Sequence, residues 1–221
     1  MDEILNRFFP ELNDDQQAAM ARLEDSFRDW NGKMNLVSRK DMEHFTLHHL
    51  VHSLALSRWI SFPERTRVLD VGTGGGLPGL PLAILNPGAR FFLCDSITKK
   101  ARAVEDMVRT VGVKNVAVIN KRAEKLESKW EFVLGRAVTS LPTFIGWIRK
   151  NLRGGKTDGV PNGILYWKGS LYREELEPLG IEPYAVYPIG EMIPDPYFAE
   201  KYIIHLTTES ALKARLPEIE A

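Results

Sequence analysis

The chain lacks the features that would assign it to a secreted or membrane class. It has a single cysteine, Cys94, so no disulfide can form within the chain. No apolar run approaches the about 20 residues of a membrane-spanning helix. The acidic start, MDEILNRFFPELNDD, has no signal-peptide pattern. These absences predict a cytoplasmic protein that makes no membrane contact.

An excess of charge of either sign is also absent, because 29 Lys and Arg residues balance 29 Asp and Glu residues. This balance argues against a protein that binds naked nucleic acid through bulk charge. It leaves room for a local basic patch and for a substrate carried on a larger particle. The length of 221 residues and the hydrophobic content of 44% fit one globular domain, with or without an extension.

Common catalytic signatures are missing as well. The sequence has no Gly-x-Ser-x-Gly elbow and no Walker A lysine. His44, His48 and His52 follow one helical stripe, but position 49 is histidine and not the glutamate of a zinc-protease helix. No third ligand is indicated, so we predict no metal site and expect this helix face to be partly exposed. Cys94 lies in an apolar run and is expected to be a buried, inert thiol.

What the sequence does contain is a glycine-rich turn. Residues 67–71, RVLDV, predict a buried strand that carries Asp70. Four glycines lie within positions 72–76, and Leu77-Pro78-Gly79 then leads into a predicted helix at 78–85. Glycine lets a ligand lie against bare backbone, and a helix start offers free N–H groups and a partial positive charge. The turn therefore predicts a site for a nucleotide-like ligand.

The identity of that ligand stays open between three readings. Gly74-x-Gly76-x-x-Gly79 satisfies the dinucleotide pattern, which would suit an NAD-linked oxidoreductase. Asp70 favours S-adenosylmethionine (SAM), because a carboxylate repels a pyrophosphate and attracts an ammonium or a sulfonium. Asp95 follows the next strand about twenty residues later, where an acid binds ribose hydroxyls in either case. A structural turn without a ligand is the third reading.

Strands and helices alternate from Arg67 onward, which predicts a mostly parallel sheet flanked by helices. We divide the chain into a helical extension at 1–62, with helices at 13–31 and 41–59, and a domain at 63–221. The polar, glycine-rich segment 154–163 predicts a mobile loop. The last two strands are expected to close the sheet as a hairpin, one of them antiparallel. The predicted strands are 67–71, 90–94, 116–119, 132–136, 164–168, 182–188 and 201–207.

Ligands of such sheets bind beyond the carboxyl ends of the strands. Ala123 and Glu124 follow the third strand and are expected to border the adenine end of a pocket. Arg136 ends the fourth strand, and its fork of donors suits a carboxylate such as that of a methionine moiety. Asp95 is also a candidate N-cap for the helix predicted at 97–111.

The sequence resembles the RsmG family, also called glucose-inhibited division protein B (GidB), of bacterial 16S rRNA (guanine-N7) methyltransferases. The likeness runs in order along nearly the whole chain, and the glycine-leucine-proline-glycine loop is its most specific part. Five stretches carry it: Trp30-Asn31-x-x-Met34-Asn35-Leu36-x-Ser38, the run from Asp70 to Gly79, Asp95-Ser96-x-x-Lys99-Lys100, Arg136-Ala137 with Ser140-Leu141, and Tyr166-Trp167-Lys168-Gly169.

This resemblance implies an α/β class I SAM-dependent methyltransferase (Rossmann-like) fold, with a mostly parallel seven-stranded sheet and an N-terminal helical extension. It implies SAM as the cofactor and N7 of guanine-527 in 16S rRNA, within the small ribosomal subunit, as the methyl acceptor. The cofactor-binding residues carried over from the family are Gly72, Leu77, Ala123, Glu124 and Arg136. The glycine turn and the second strand add Gly74 and Asp95 to that set.

Guanine N7 carries a lone pair and needs no deprotonation, so positioning alone can promote its methylation. We therefore assign no catalytic residue. Arg39, His49 and Lys168 are candidates for contacts with the guanine or its phosphates. Two positions depart from the family pattern: His52 replaces the acid of His-x-x-Asp-Ser, and Gly135 replaces a serine. We predict a monomer. A methyltransferase with another substrate and a non-catalytic assembly factor remain as alternatives.

Overall fold

The computed structural model describes residues 2–217, and all structural statements here refer to that part of the chain. The α-helices are α1 Asp2–Phe8, α2 Asp14–Lys33, α3 Arg39–Glu43, α4 His52–Leu54, α5 Gly79–Leu85, α6 Thr98–Val111, α7 Leu141–Ile148, α8 Tyr172–Leu176, α9 Ile189–Met192 and α10 Thr208–Lys213. The strands are β1 Arg67–Val71, β2 Arg90–Cys94, β3 Val116–Ile119, β4 Phe132–Arg136, β5 Lys156–Thr157, β6 Val160–Pro161, β7 Gly163–Lys168, β8 Ala185–Pro188 and β9 Tyr202–Thr207.

Seven strands form one sheet in the order β3-β2-β1-β4-β7-β9-β8. The five strands from β3 to β7 are parallel, and β9 runs antiparallel to both of its neighbours. The predicted seven-stranded, mostly parallel sheet with a closing hairpin is therefore confirmed. The strand order reverses between β1 and β4, and this is the point at which open parallel sheets leave a crevice for ligands.

The helices before the sheet begin with clear local signals. Asn13 caps α2 through a capping box with Gln16, and the helix continues to Lys33, two residues beyond the predicted end. The rings of Phe27 and Phe45 pack with their centroids 4.5 Å apart and belong to the same core cluster as side chains of α5 and α6. The extension thus shares one core with the sheet domain. The division at residue 62 remains a prediction.

The single helix predicted from Asp41 to residue 59 is wrong. Helix α3 begins at Arg39 behind the cap Ser38, and a π-helical turn at Thr46–Val51 follows. The segment then passes through α4 into a 3-10 turn at Ala55–Arg58. Apolar spacing indicated helix but could not show this change of winding, which depends on packing against the sheet. π-helical turns are frequent at functional sites.

The segment predicted as a mobile loop contains the two-stranded hairpin of β5 and β6. Asn162 holds this hairpin, because its side chain bonds Thr157 at 2.7 Å and Gly154 at 3.2 Å. Its backbone oxygen accepts from the amide of Thr208 at 2.8 Å. The segment therefore has regular structure and a firm connection to α10. No helix in residues 2–217 combines the length and apolar character needed to cross a membrane.

Candidate functional site

A cleft of three adjoining cavities lies beyond the carboxyl ends of β1, β2, β4 and β7. Cavity A, about 270 Å³, is lined by Gly72, Asp95, Ala123 and Glu124 among others. Cavity B, about 380 Å³, is lined by the glycine turn, Arg136 and histidines of the N-terminal helices. Cavity C, about 260 Å³, lies beside Trp167 and Lys168. Cavities A and B share Gly72, Lys100 and Ala137, and cavities B and C share His52, Arg136, Ala137 and Lys201.

The glycine turn presents backbone to this cleft. Gly72 and Gly74 have φ values of 66° and 59°, a conformation that side chains disfavour. A Cβ at Gly72 would also lie 2.8 Å from Val138. The amide of Thr73 donates to the oxygen of Cys94 at 3.0 Å, which fixes the turn against β2. The bare surface predicted for this stretch therefore lines cavities A and B.

Asp70 lies behind the turn and does not face the cleft. It is fully buried and lines none of the three cavities. Its Oδ2 accepts from Thr73 Oγ1 at 2.7 Å and from the amide of Gly79 at 2.9 Å, and its Oδ1 has no partner. Burial raises the pKa of Asp70 to about 7. The prediction that this acid faces a cationic ligand is therefore wrong: Asp70 holds the turn in shape.

Asp95 does line the cleft, in cavity A. Its Oδ2 accepts from the amide of Gly74 at 3.0 Å, and its Oδ1 accepts from the amide of Ile97 at 2.8 Å. Each carboxylate oxygen retains a second lone pair for a ligand hydroxyl. The N-cap of α6 is Ile97, without a side-chain bond, so neither Asp95 nor Ser96 occupies the cap position itself.

Arg136 lies where cavities B and C meet, close to two histidines. Its Nη2 lies 3.4 Å from His49 Nδ1. Burial lowers the pKa of Arg136 to about 10, and the nearby Asp70 carboxylate partly offsets this. Burial, and then the Arg136 charge, lower the pKa of His49 to about 4. Burial, Arg136 and Lys201 together hold the pKa of His52 well below its usual value. Both imidazoles are therefore neutral at neutral pH.

The sequence reasoning missed the far wall of cavity B. Tyr197 stacks on His48 with ring centroids 3.7 Å apart, and Lys201 Nζ lies 4.3 Å from the Tyr197 ring centre. Tyr197 lies in a 3-10 turn between β8 and β9, where no motif marked it. The histidine stripe was the available signal, and His48, His49 and His52 all line cavity B.

The other predicted residues fall in different places. Lys168 lines cavity C and pairs with Glu175 at 2.7 Å, whereas Arg39 is exposed on α3 and lines none of the three cavities. Cys94 is buried, and burial raises the pKa of its thiol to about 11, which fits an inert cysteine. Within residues 2–217, no group of three or more His, Cys, Asp or Glu side chains could hold a metal ion.

The sheet order and the position of the cleft define the class I SAM-dependent methyltransferase fold. Two solved structures share this fold with TM-scores of 0.52. A ribosomal protein L11 methylase from Lactobacillus delbrueckii subsp. bulgaricus is 14% identical, with 71% of this chain and 77% of that chain covered. A SAM-dependent methyltransferase from Aquifex aeolicus is 15% identical, with 76% and 97% covered.

Sequence comparison assigns the family within this class. The GidB family model, described as rRNA small subunit methyltransferase G, matches residues 16–185. Proteins named ribosomal RNA small subunit methyltransferase G are 42% identical in Flavobacterium johnsoniae, over 93% of this chain and 97% of that protein, and 38% identical in Phocaeicola vulgatus, over 93% and 98%. The chain belongs to the rRNA small subunit methyltransferase G family.

Proposed function

We propose that this protein methylates N7 of guanine-527 in 16S rRNA of the small ribosomal subunit, with SAM as methyl donor. The observation that carries the proposal is the continuity of the cleft. A cavity bounded by bare backbone and Asp95 adjoins a second cavity, lined by histidines and lysines, and this second cavity continues past Arg136 into a third. The names of the relatives support an rRNA substrate. A protein with this substrate would act in the cytoplasm, where ribosomal subunits are assembled.

The residues of cavities A and B fit SAM. Asp95 has free lone pairs for ribose hydroxyls, and Ala123 and Glu124 border the adenine end. Gly72, Gly74 and Leu77 line the walls and offer close approach to backbone, and Arg136 is the cation for the methionine carboxylate. SAM supplies a methyl group that its sulfonium makes electrophilic. Asp70 is the residue that does not fit the expected cofactor contacts, because it lies behind the glycine turn and stabilises it.

The chain's own part in the reaction is to orient the acceptor base and exclude water. N7 of guanine is already a lone-pair nucleophile, so no side chain has to remove a proton from it. Holding a nucleophile in line with the methyl carbon that it attacks can by itself lower the activation barrier of the transfer substantially. Neutral His49 and His52 and the lysines around cavities B and C are the groups for holding the base. Arg39, outside the cleft, is suited only to a phosphate further away on the RNA.

Transfer of a labelled methyl group from SAM to small subunits that lack this modification tests the proposal. We expect incorporation into small subunits and not into large subunits, with mass spectrometry of nuclease fragments locating the label at N7 of guanine-527. Label on another base would show that the protein is an rRNA methyltransferase with a different target nucleotide. Label on a ribosomal protein would contradict an RNA substrate.

Ligand-induced stabilisation separates the remaining alternatives. SAM and S-adenosylhomocysteine are expected to raise Tm in proportion to the logarithm of their concentration, and NAD is not. Stabilisation by NAD alone would favour the oxidoreductase. Stabilisation by SAM with no methyl transfer to any ribosomal particle would favour a non-catalytic assembly factor. The predicted monomer can be checked on the same samples by light scattering.

A further inference from the structure

Two histidines that line the cleft each have a ring nitrogen without a hydrogen-bond partner. His49 Nε2 and His52 Nε2 are both buried and unpartnered. His49 lines cavity B, and His52 lines both cavity B and cavity C. A buried polar atom without a partner is uncommon and costs free energy. A ligand group that satisfies these atoms would therefore bind more tightly than one that does not.

A contact on the opposite ring nitrogen decides the role of His49 Nε2. Arg136 Nη2 lies 3.4 Å from His49 Nδ1, and a guanidinium can only donate. His49 Nδ1 is therefore the acceptor, and the hydrogen of this neutral ring is on Nε2. Within residues 2–217 no side-chain hydrogen bond fixes the position of the hydrogen on the neutral His52 ring. With that hydrogen on Nδ1, the unpartnered Nε2 keeps a lone pair and can accept.

The wall of the cleft therefore contains a donor on His49 and, three positions further along the chain, a ring nitrogen of His52 that can accept. Both rings are neutral, because burial and the charge of Arg136 disfavour a second proton on either. Arg136 and Lys201 line cavity B together with these rings, and Tyr197 packs edge-on against His52 at 6.0 Å. His49 Nε2–H thus remains a donor at neutral pH, and the neutral His52 ring remains able to accept.

We propose that this histidine pair recognises the acceptor guanine, His49 Nε2–H donating to O6 and His52 Nε2 accepting from N1–H. The inference rests on the proposed function. Guanine presents O6 as an acceptor beside N1–H as a donor. Adenine presents an amino donor and an N1 acceptor in the same places. One contact would then place a donor against a donor, and the other an acceptor against an acceptor. Sites built on hydrogen bonds reject such analogues strongly, because their buried polar groups are left unpaired.

The contact with His52 also favours the reaction itself. As the N7 lone pair forms its bond to the methyl carbon, the sulfur keeps the electrons of the bond that breaks, and the purine becomes cationic. The N1–H of a cationic purine is a stronger donor, so its hydrogen bond to His52 strengthens in the transition state. Interactions that strengthen there raise kcat and not merely affinity.

Four variants test the pair on small subunits that lack the modification. His52→Leu removes the acceptor, His52→Asp keeps an acceptor, and His49→Phe removes the donor. His44→Leu removes an exposed imidazole that lines none of the cavities and is the matched control. Single-turnover methylation is measured beside SAM affinity by calorimetry and Tm. Subunits with adenine at the target position measure base discrimination.

We expect His52→Leu and His49→Phe to methylate about 10- to 100-fold more slowly, with SAM affinity within twofold of wild type. His52→Asp is expected to stay within about fivefold of wild type, and His44→Leu to match it. Rates of His52→Leu and His49→Phe close to wild type would overturn the inference. So would a parallel loss of SAM affinity, which would assign the histidines to the cofactor. Wild-type protein that leaves guanine N7 unmodified would instead overturn the proposed function.

Discussion

Replacing Asp70 by asparagine should change how stability depends on pH, because Asp70 is a buried acid behind the glycine turn. Both of its accepted hydrogen bonds end on Oδ2, and Oδ1 has no partner. Burial raises its pKa from 3.8 to about 7. Between these values the folded protein holds the proton more tightly than the unfolded chain. The stability that Asp70 contributes is therefore fully present below about pH 4 and is lost as pH rises through about 7.

The linkage relation gives the size of the effect. With pKa values of 3.8 unfolded and about 7 folded, wild type should lose about 2.5 kcal/mol of unfolding free energy between pH 5 and pH 8 through Asp70. Asp70→Asn cannot titrate, and its oxygen can accept the same two bonds. Its amide takes the place of the unpartnered oxygen, which costs about 1–3 kcal/mol at every pH. The variant should therefore gain on wild type as pH rises.

Urea unfolding followed by circular dichroism at pH 5 and pH 8 measures this difference, with equal m-values as the condition for comparing free energies. Asp25→Asn, on the exposed side of α2, makes the same chemical change away from the turn and is the control. If the difference between Asp70→Asn and wild type were the same at both pH values, the assignment of Asp70 as a buried acid with a raised pKa would be refuted.

Three further predictions follow from single sites. Arg136→Ala should weaken SAM binding at least about 10-fold by calorimetry, and unchanged affinity would end its assignment to the methionine carboxylate. Gly135→Ser should lower the unfolding free energy by about 1–3 kcal/mol, because a Cβ there would lie 2.6 Å from Tyr166 and 2.7 Å from Phe144; an unchanged Tm would contradict this packing. His205 is fully buried and burial lowers its pKa to about 4, so its stabilising contribution is present above pH 6.5 and lost as pH falls to about 4. Wild type should lose about 3 kcal/mol more than His205→Gln over that range, and parallel acid-unfolding curves would disprove it.

Much of the sheet was predictable because its signals are local. The first four predicted strands, 67–71, 90–94, 116–119 and 132–136, have the observed bounds. Each is a short run rich in apolar residues and is followed by turn residues or a helix signal. Such a run is the main local signal of a parallel strand. Prediction was weaker where winding depends on packing, as in the broken helical segment after Arg39.

Asp70 shows a second limit of sequence reasoning. Its position two residues before the glycines suggested that it faces a ligand, which is wrong, because the pattern could not show which way the side chain points. In the structure the carboxylate turns inward, toward Thr73 and Gly79, where a Cβ on Gly79 would lie 2.8 Å from Oδ2. The direction is set by the pleat of β1 and by the close approach of α5. Both are products of packing.

The sequence by itself determined that a turn of bare backbone forms after β1, because the strand, the glycines and the helix start that build it are neighbours in the chain. Only the tertiary structure decided what the site faces. His52, Arg136 and Lys201 are separated by dozens of residues, and they meet where α4, the end of β4 and the turn before β9 pack together. Contacts between such distant segments depend on how helices cross a sheet, and no local pattern of residues encodes that geometry.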